Sequence, residues 1–497
     1  MEIDPWGSDS VEDYSRLFDE FGIEEFDVSD VPEPMELMRR GIIFGERDYD
    51  LVKEAMREGE DYAALSGFMP SGSLHLGHLM VLRELVWHQK HGADTYFLIA
   101  DLEAHSARGM TWEECEKYAR EYVLSLLALG FDPEEGTVYR QSENRELQDL
   151  AFELGEQTNF NELNAIYGFD GETNIAHMQS TLTQAADILY PQLEKPKPTV
   201  IPVGADQDPH LRLTRGLARR MRMFGVTEAY GSFESSENQQ EIFKILIEDL
   251  GEGIEAEQAA DFLESNRENL PLNDYPEETI DAVLRRLHGV EKLYPRVRVL
   301  SRDAPSDAFG DLIDRLESHH DFDIKRFDEH VDLAVGDFEY IEELKEEVSE
   351  IVREVEVENG GYGFYPPSSI YHRFMTGLTG GKMSSSVPKS HIAVTDEPDE
   401  AREKVMSATT GGRETAEEQR EKGGRPDECP VYELYAYADE SVCDDEHAER
   451  VYEECAGGER LCGGCKSEAA DMTAEYLEGH QEKRAEAEET VEELDAL

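Results

Sequence analysis

Thr95-Tyr96-Phe97-Leu98-Ile99-Ala100-Asp101 is a short apolar run that stops at a carboxylate, the pattern of a strand buried on both faces of a parallel sheet. Thr111 follows as a helix N-cap, with Glu114 at the capping-box position three residues on. Farther along, Thr199-Val200-Ile201-Pro202-Val203 repeats the strand pattern, ends in Gly204-Ala205-Asp206, and leads into a basic helix over Leu211 to Arg222. Strands alternating with helices from about Leu51 to Arg222 predict an α/β fold with a doubly wound, parallel-sheet domain of Rossmann type. Ligands of such domains sit past the carboxyl ends of the strands, so the chemistry is to be sought just after these runs.

Outward from this core the texture changes. Residues 227–358 are acidic, and apolar residues recur at three- and four-residue spacing, as in Ile341-Glu342-Glu343-Leu344-Lys345-Glu346-Glu347-Val348. That spacing predicts a mainly helical insertion. Gly360-Gly361 and Pro366-Pro367 mark a return to the core over 359–396. Helical patterns then dominate 397–497, a C-terminal all-α domain. Residues 61–226 hold the first part of the Rossmann-type domain, and 1–60 form a segment expected to pack on it.

The chain has 497 residues, 39% hydrophobic and 9% aromatic, enough apolar surface to fold despite 32% charged residues. Disorder over its whole length is excluded. No run approaches the ~20 apolar residues of a membrane helix, and the start lacks a secretory pattern, so a cytoplasmic protein without membrane contact is expected. Six cysteines, five of them after position 428, make no disulfide framework. Asp and Glu number 112 against 47 Lys and Arg, a net charge of −65. In ordinary salt such a polyanion would repel nucleic acid. At molar ionic strength the Debye length falls to about 3 Å and only contacts count. The acid is spread along the chain and arginine carries most of the positive charge, which resembles proteins of extreme halophiles. Charge therefore says nothing about partners.

Two motifs carry chemistry. Gly67-Phe68-Met69-Pro70-Ser71-Gly72-Ser73-Leu74-His75-Leu76-Gly77-His78 opens a helix that continues through Leu79, Leu82, Leu85 and Val86. Two histidines three apart share one face of a helix start, where backbone N–H groups and the dipole attract phosphate. Gly77 between them lets a flat base approach the backbone. As a metal pair the histidines lack a third ligand nearby. Much later, Gly380-Gly381-Lys382-Met383-Ser384-Ser385-Ser386 joins a glycine pair to one lysine and three hydroxyls, a loop suited to phosphate oxygens.

In this order the two motifs resemble the HIGH and KMSKS signatures of class I aminoacyl-tRNA synthetases, with Ser385 where the usual second lysine would stand. Gly204-Ala205-Asp206-Gln207-Asp208-Pro209 resembles a segment of tryptophanyl-tRNA synthetases, whose tyrosyl counterparts share only the Asp-Gln core. Asp4-Pro5-Trp6, Leu37 to Phe44, Ser407 to Thr415 and Gly423-Gly424 resemble the archaeal and eukaryotic members. About three-quarters of the chain, all but the acidic insertion, is similar to archaeal-type tryptophanyl-tRNA synthetases.

The resemblance implies a tryptophan–tRNA ligase that activates L-tryptophan with ATP, accompanied by Mg2+, and passes it to tRNA(Trp). His75, His78 and Lys382 would be catalytic. Pro70, Ser71, Gly77, Asp206, Ser384, Ser385 and Ser386 would bind ATP. Asp101, Glu103, Gln184 and Gln207 would bind the amino acid. Leu65 and Leu98 stand where eukaryotic relatives have a tyrosine and a glutamine, which leaves open the acceptor that a buried indole N–H requires. The family implies a homodimer and anticodon contacts in the C-terminal helices. No editing domain is apparent, and tryptophan's size explains why, since smaller competitors under-fill the pocket. Cys462-Gly463-Gly464-Cys465 has ligand-like spacing, but no second Cys-x-x-Cys accompanies it; reduced thiols are expected there, with neither zinc nor another metal bound.

Two other readings compete: a tyrosine–tRNA ligase on the same scaffold, and a non-catalytic paralogue that binds tRNA or tryptophan. Intact histidines and Lys382 argue against a silent paralogue, because binding alone needs no phosphate grips. A different nucleotidyl transferase sharing His-x-Gly-His would lack the C-terminal helical resemblance.

Overall fold

The computed structural model describes residues 18, 21–230, 235–250, 254–267, 270–272, 275–290, 293, 295–302, 304–319, 322–334, 341–381, 383 and 387–494. The chain divides into two units, Met1–Ala218 with Tyr365–Leu497, and Arg219–Phe364.

The first unit holds strands β1 (Glu24–Glu25), β2 (Ile43–Arg47), β3 (Ala63–Phe68), β4 (Asp94–Ile99), β5 (Gly136–Arg140), β6 (Thr199–Gly204) and, after the second unit's β7 (Phe224–Tyr230), β8 (Pro295–Ser301), β9 (Asp323–Arg326) and β10 (His330–Ala334), the strand β11 (Ser368–His372). Its seven-stranded sheet runs β1-β2-β11-β6-β3-β4-β5. The five strands from β11 to β5 are parallel, and β2 and β1 add an antiparallel edge. Strand order reverses between β3 and β6, the switch point at which α/β sheets bind ligands.

Helices connect the parallel strands: α1 (Leu76–Lys90), α2 (Asp101–Arg108), α3 (Trp112–Ala128), α4 (Ile175–Leu189) and α5 (Asp208–Arg220). The capping box expected at Thr111 is present, with Glu114 N–H donating to Thr111 Oγ1 at 3.2 Å and Thr111 N–H to Glu114 Oε2 at 2.9 Å. Helix α5 begins at Asp208, three residues before the predicted start, because Pro209 fits a helix's first turn. After Pro398 every described element is a helix, and apolar residues there, among them Val405, Leu434 and Leu477, share one core with Leu82, Phe97 and Ile370.

The second unit carries the helices Glu237–Leu250, Ala256–Asn266, Glu277–Leu287, Ser306–Ser318 and Ile341–Glu358. Helix outweighs strand there, yet the unit also contains an antiparallel four-stranded sheet, β7-β8-β10-β9, which the sequence reading missed. The strand signal was Arg296-Val297-Arg298-Val299, an alternation of period two. Its arginines disguised it: Arg298 is buried and pairs with buried Asp332 through two contacts of 2.6 and 2.9 Å, a fork that lets charge sit inside.

Candidate active site

His75 is the N-cap of α1, in extended conformation at φ −130°. Its imidazole accepts from the backbone of His78, and His78 Nδ1 accepts from the N–H of His75 at 3.2 Å. The pair thus forms a reciprocal cap of the kind usually built from Ser/Thr and Glu. The rings lie 3.8 Å apart, and a Cβ at Gly77 would stand 3.1 Å from the His75 ring. Glycine leaves one face of the helix start open.

The chain on both sides of the lysine loop reaches this helix start. Met383 donates its N–H to Met375 O at 3.2 Å, and Gly377 to Gly381 O at 2.7 Å. Beyond the loop, Leu76 N–H donates to Ile392 O and Val394 N–H to Leu74 O, a two-residue strand pairing centred on His75 and Ala393. Lys382, Ser384, Ser385 and Ser386 themselves lie outside the described residues.

A cavity of about 380 Å³ opens at the carboxyl ends of β3, β4 and β6. His75, Gly77, His78, Glu103, Gln184, Asp206 and Gln207 all line it, as do Met383 from the lysine loop and both Leu65 and Leu98. Gln184 Nε2 donates to Gln207 Oε1 at 3.1 Å, which joins α4 to the turn after β6. The second acid of that turn, Asp208, points the other way: it is fully buried and held by Arg47 at 2.9 Å and the Tyr371 hydroxyl at 2.8 Å. It anchors the turn to the sheet.

Of the predicted residues that are described, three are not among the lining. Asp101 is buried at the start of α2, and its carboxylate accepts from the N–H of Ser142 at 3.0 Å and from the Ser142 hydroxyl. It ties the end of β4 to the end of β5 and does not line the cavity. Glu103, less than one turn later on α2, takes the cavity face instead. Pro70 and Ser71 lie in the turn after β3, where Ser71 N–H donates to Met69 O at 2.8 Å and the Tyr122 hydroxyl to Gly72 O at 2.6 Å; only Met69 of that turn lines the cavity.

Sequence reasoning missed the groups that finish the apolar end. Asp187 lines the cavity with no exposed surface. It accepts from the Tyr139 hydroxyl at 2.9 Å and from Gln141 Nε2 at 2.6 Å, and the same Gln141 nitrogen donates to Glu103 Oε1 at 3.1 Å. One amide therefore bridges two buried carboxyls. Burial pushes Glu103 up to about 7 against the pull of that hydrogen bond. Burial, and then the nearby Glu103, hold Asp187 well above the carboxylate range. Asp187 follows Gln184 by three residues on one helix, a spacing that shares a face and could have revealed it. His210 also lines the cavity, its Nδ1 3.0 Å from the Tyr167 hydroxyl; burial lowers it to about 3 and keeps it neutral.

A family model described as "tRNA synthetases class I (W and Y)" matches residues 57–237 and 339–478. Tryptophan–tRNA ligase 1 of Halobacterium salinarum is 54% identical, covering 100% of this chain and 96% of its own. The tryptophan–tRNA ligase of Methanosarcina acetivorans is 45% identical over 99% and 98%. Among solved structures, the tryptophanyl-tRNA synthetase of Aeropyrum pernix aligns with a TM-score of 0.64 and 31% identity over 99% of this chain and 98% of that one. The chain belongs to the class I tRNA synthetases of the tryptophan and tyrosine type, with its similarity running full length into the archaeal tryptophan branch.

Proposed function

We propose that this chain is a tryptophan–tRNA ligase, joining L-tryptophan to tRNA(Trp) by way of tryptophanyl-adenylate. One observation carries the reading: a single cavity joins the histidine-capped helix start, the Asp206-Gln207 turn and the edge of the lysine loop to an apolar end closed by two buried carboxyls.

Tryptophan enters with its indole between Leu65 and Leu98. Its N–H donates to Asp187, the acceptor that these two leucines cannot supply, and Glu103 in its ionised form holds the ammonium. Gln184 and Gln207, already hydrogen bonded to each other, orient the carboxylate. Asp206 holds the ribose of ATP, and the adenine lies over Gly77. The carboxylate oxygen attacks the α-phosphorus in line, the bond to pyrophosphate breaks, and tryptophanyl-adenylate forms. His75, His78, Lys382 and the loop serines stabilise the phosphate oxygens. Positioning and charge stabilisation suffice for such a transfer, so no nucleophilic side chain is required. Mg2+ would accompany the triphosphate, held by its phosphate oxygens. A ribose hydroxyl of the tRNA's terminal adenosine then takes the acyl group and AMP leaves.

The C-terminal helices would contact the anticodon, and the working form would be a cytoplasmic homodimer. Among the described residues no helix is long and apolar enough to cross a membrane. The charge of −65 sets the working medium as molar salt, where repulsion of tRNA is screened. ATP–pyrophosphate exchange in molar KCl with a panel of amino acids tests the assignment: stimulation by tryptophan alone supports it, and stimulation by tyrosine refutes it.

A further inference from the structure

The short connection between α2 and α3 carries three side chains that amino-acid activation does not use: His105, Arg108 and Trp112. Gly109 ends α2 in the left-handed conformation at φ 69°, and Met110 N–H closes back onto Ala104 O at 3.2 Å. The chain reverses at once, so Trp112, the first residue of α3, returns onto His105 of α2. Their rings stack 4.2 Å apart and within 18° of parallel. His105 is fixed in that position, because its Nδ1 lies 2.7 Å from Met110 O, a carbonyl that can only accept. Trp112 is 48% exposed. Its indole is thus held flat by one neighbour while much of it faces solvent.

A single exposed apolar side chain is ordinary. Arg108 sets this one apart. It closes α2 and lines the cavity, and among the described residues no other lysine or arginine does so. It is exposed and pairs with no described carboxylate, in a chain where 112 acids outnumber 47 bases. His105 and Arg108 stand three apart and share one face of α2. Glu103, which holds the ammonium in the function proposed above, lies five residues earlier, roughly 7.5 Å back along the helix. From buried Glu103 to exposed Arg108, α2 therefore leads from the amino acid to the rim of the cavity.

A flat ring beside a guanidinium grips an unpaired nucleic-acid strand, base on the ring and phosphate on the cation. The strand that must reach this cavity is the 3′ end of tRNA, whose last ribose takes the acyl group. We propose that Arg108, His105 and Trp112 receive the unpaired 3′-terminal nucleotides of tRNA(Trp). Arg108 takes a backbone phosphate, a base stacks on Trp112, and the terminal ribose is held toward tryptophanyl-adenylate. Two acids follow the ring. Glu114 is spent on the Thr111 cap, and at molar ionic strength a Debye length of about 3 Å limits Glu113 to direct contact. The inference rests on the ligase reading above and deepens it, by naming where the second substrate enters.

The test separates the two half-reactions, with the full-length enzyme in molar KCl. Trp112→Ala should leave tryptophan-dependent ATP–pyrophosphate exchange unchanged, which also reports that the variant folds. Its transfer of tryptophan to tRNA(Trp) should fall by about 5- to 150-fold in kcat/KM, the worth of one stacked base. Trp112→Phe should recover most of that loss, since a phenyl ring still stacks. Arg108→Ala should likewise keep exchange and lose transfer. If Arg108→Ala loses exchange, its guanidinium serves ATP; if either alanine variant transfers as well as wild type, the 3′ end lies elsewhere. Both outcomes overturn the proposal. Binding gives a readout that needs no catalysis. Wild type should bind a tRNA(Trp) transcript more tightly than the same transcript without its 3′-terminal CCA, and Trp112→Ala should bind the two alike; equal binding by wild type overturns the proposal even if Trp112→Ala fails to fold. Absence of tryptophan-dependent exchange in the wild type would instead refute the ligase reading, and the transcript comparison would still decide this one.

Discussion

Glu84 on α1 and His372 at the end of β11 face each other inside the first unit, with Oε1 3.3 Å from Nδ1. Glu84 has no exposed surface and His372 only 4%. The pair links the helix that begins with His75 to the strand that leads toward the lysine loop, and His372 also lines the cavity. A buried carboxylate that loses its partner, or a partner left behind, is costly. Glu84→Ala should lower the free energy of unfolding by about 3–5 kcal/mol, measured by denaturant titration in molar KCl. A change within experimental error would show the pair to be energetically idle.

Glu103 makes tryptophan binding depend on pH. Its pKa is pushed up to about 7 by burial, so below that value it carries a proton and cannot hold the ammonium. The dissociation constant for tryptophan should rise as pH falls from 8 to 6, approaching about tenfold per pH unit on the acid side. Glu103→Gln should flatten that dependence while weakening binding throughout. The same shift has the opposite consequence for folding. With its folded-state pKa above its unfolded one, Glu103 binds more protons in the native state between about 4.5 and 7. Its contribution to stability is therefore greatest at low pH and declines as pH rises through that window.

Asp187 as the indole acceptor predicts a chemical discrimination. A tryptophan analogue with sulfur in place of the indole N–H should bind the wild type about 10- to 100-fold more weakly than tryptophan, the worth of one hydrogen bond to a buried acceptor. In Asp187→Ala the two ligands should bind alike. Calorimetry or equilibrium dialysis reads both, and persistence of the preference in the variant would move the acceptor elsewhere.

Close approach of backbones explains Gly67. A Cβ there would stand 2.2 Å from Leu98 O, and both residues belong to the paired strands under the cavity. Gly67→Ala should cost about 1–3 kcal/mol through forced separation of β3 and β4. Gly310 lies inside the helix Ser306–Ser318 with nothing within 4 Å of a Cβ, so Gly310→Ala should stabilise by about 0.5–1 kcal/mol. Thermal unfolding of the two variants compares a tight glycine with a free one.

Local pattern alone determined the strand that runs up to Ile99, the cap at Thr111, the histidine helix start and the turn at Asp206, because each is settled by neighbours a few residues away. Periodicity likewise disclosed the helices of the C-terminal region. Only the tertiary structure decided which of two acids after β4 serves the cavity. Asp101 and Glu103 stand two apart on one helix, roughly 200° around its axis, and what each faces depends on where β5 lies: Asp101 turns to Ser142, Glu103 to the ligand space. The same holds for Asp187 beneath Gln141 and for β8 hidden among its arginines. Short-range pattern records how a chain prefers to coil, whereas partners far apart in sequence are chosen by packing, which no window of adjacent residues contains.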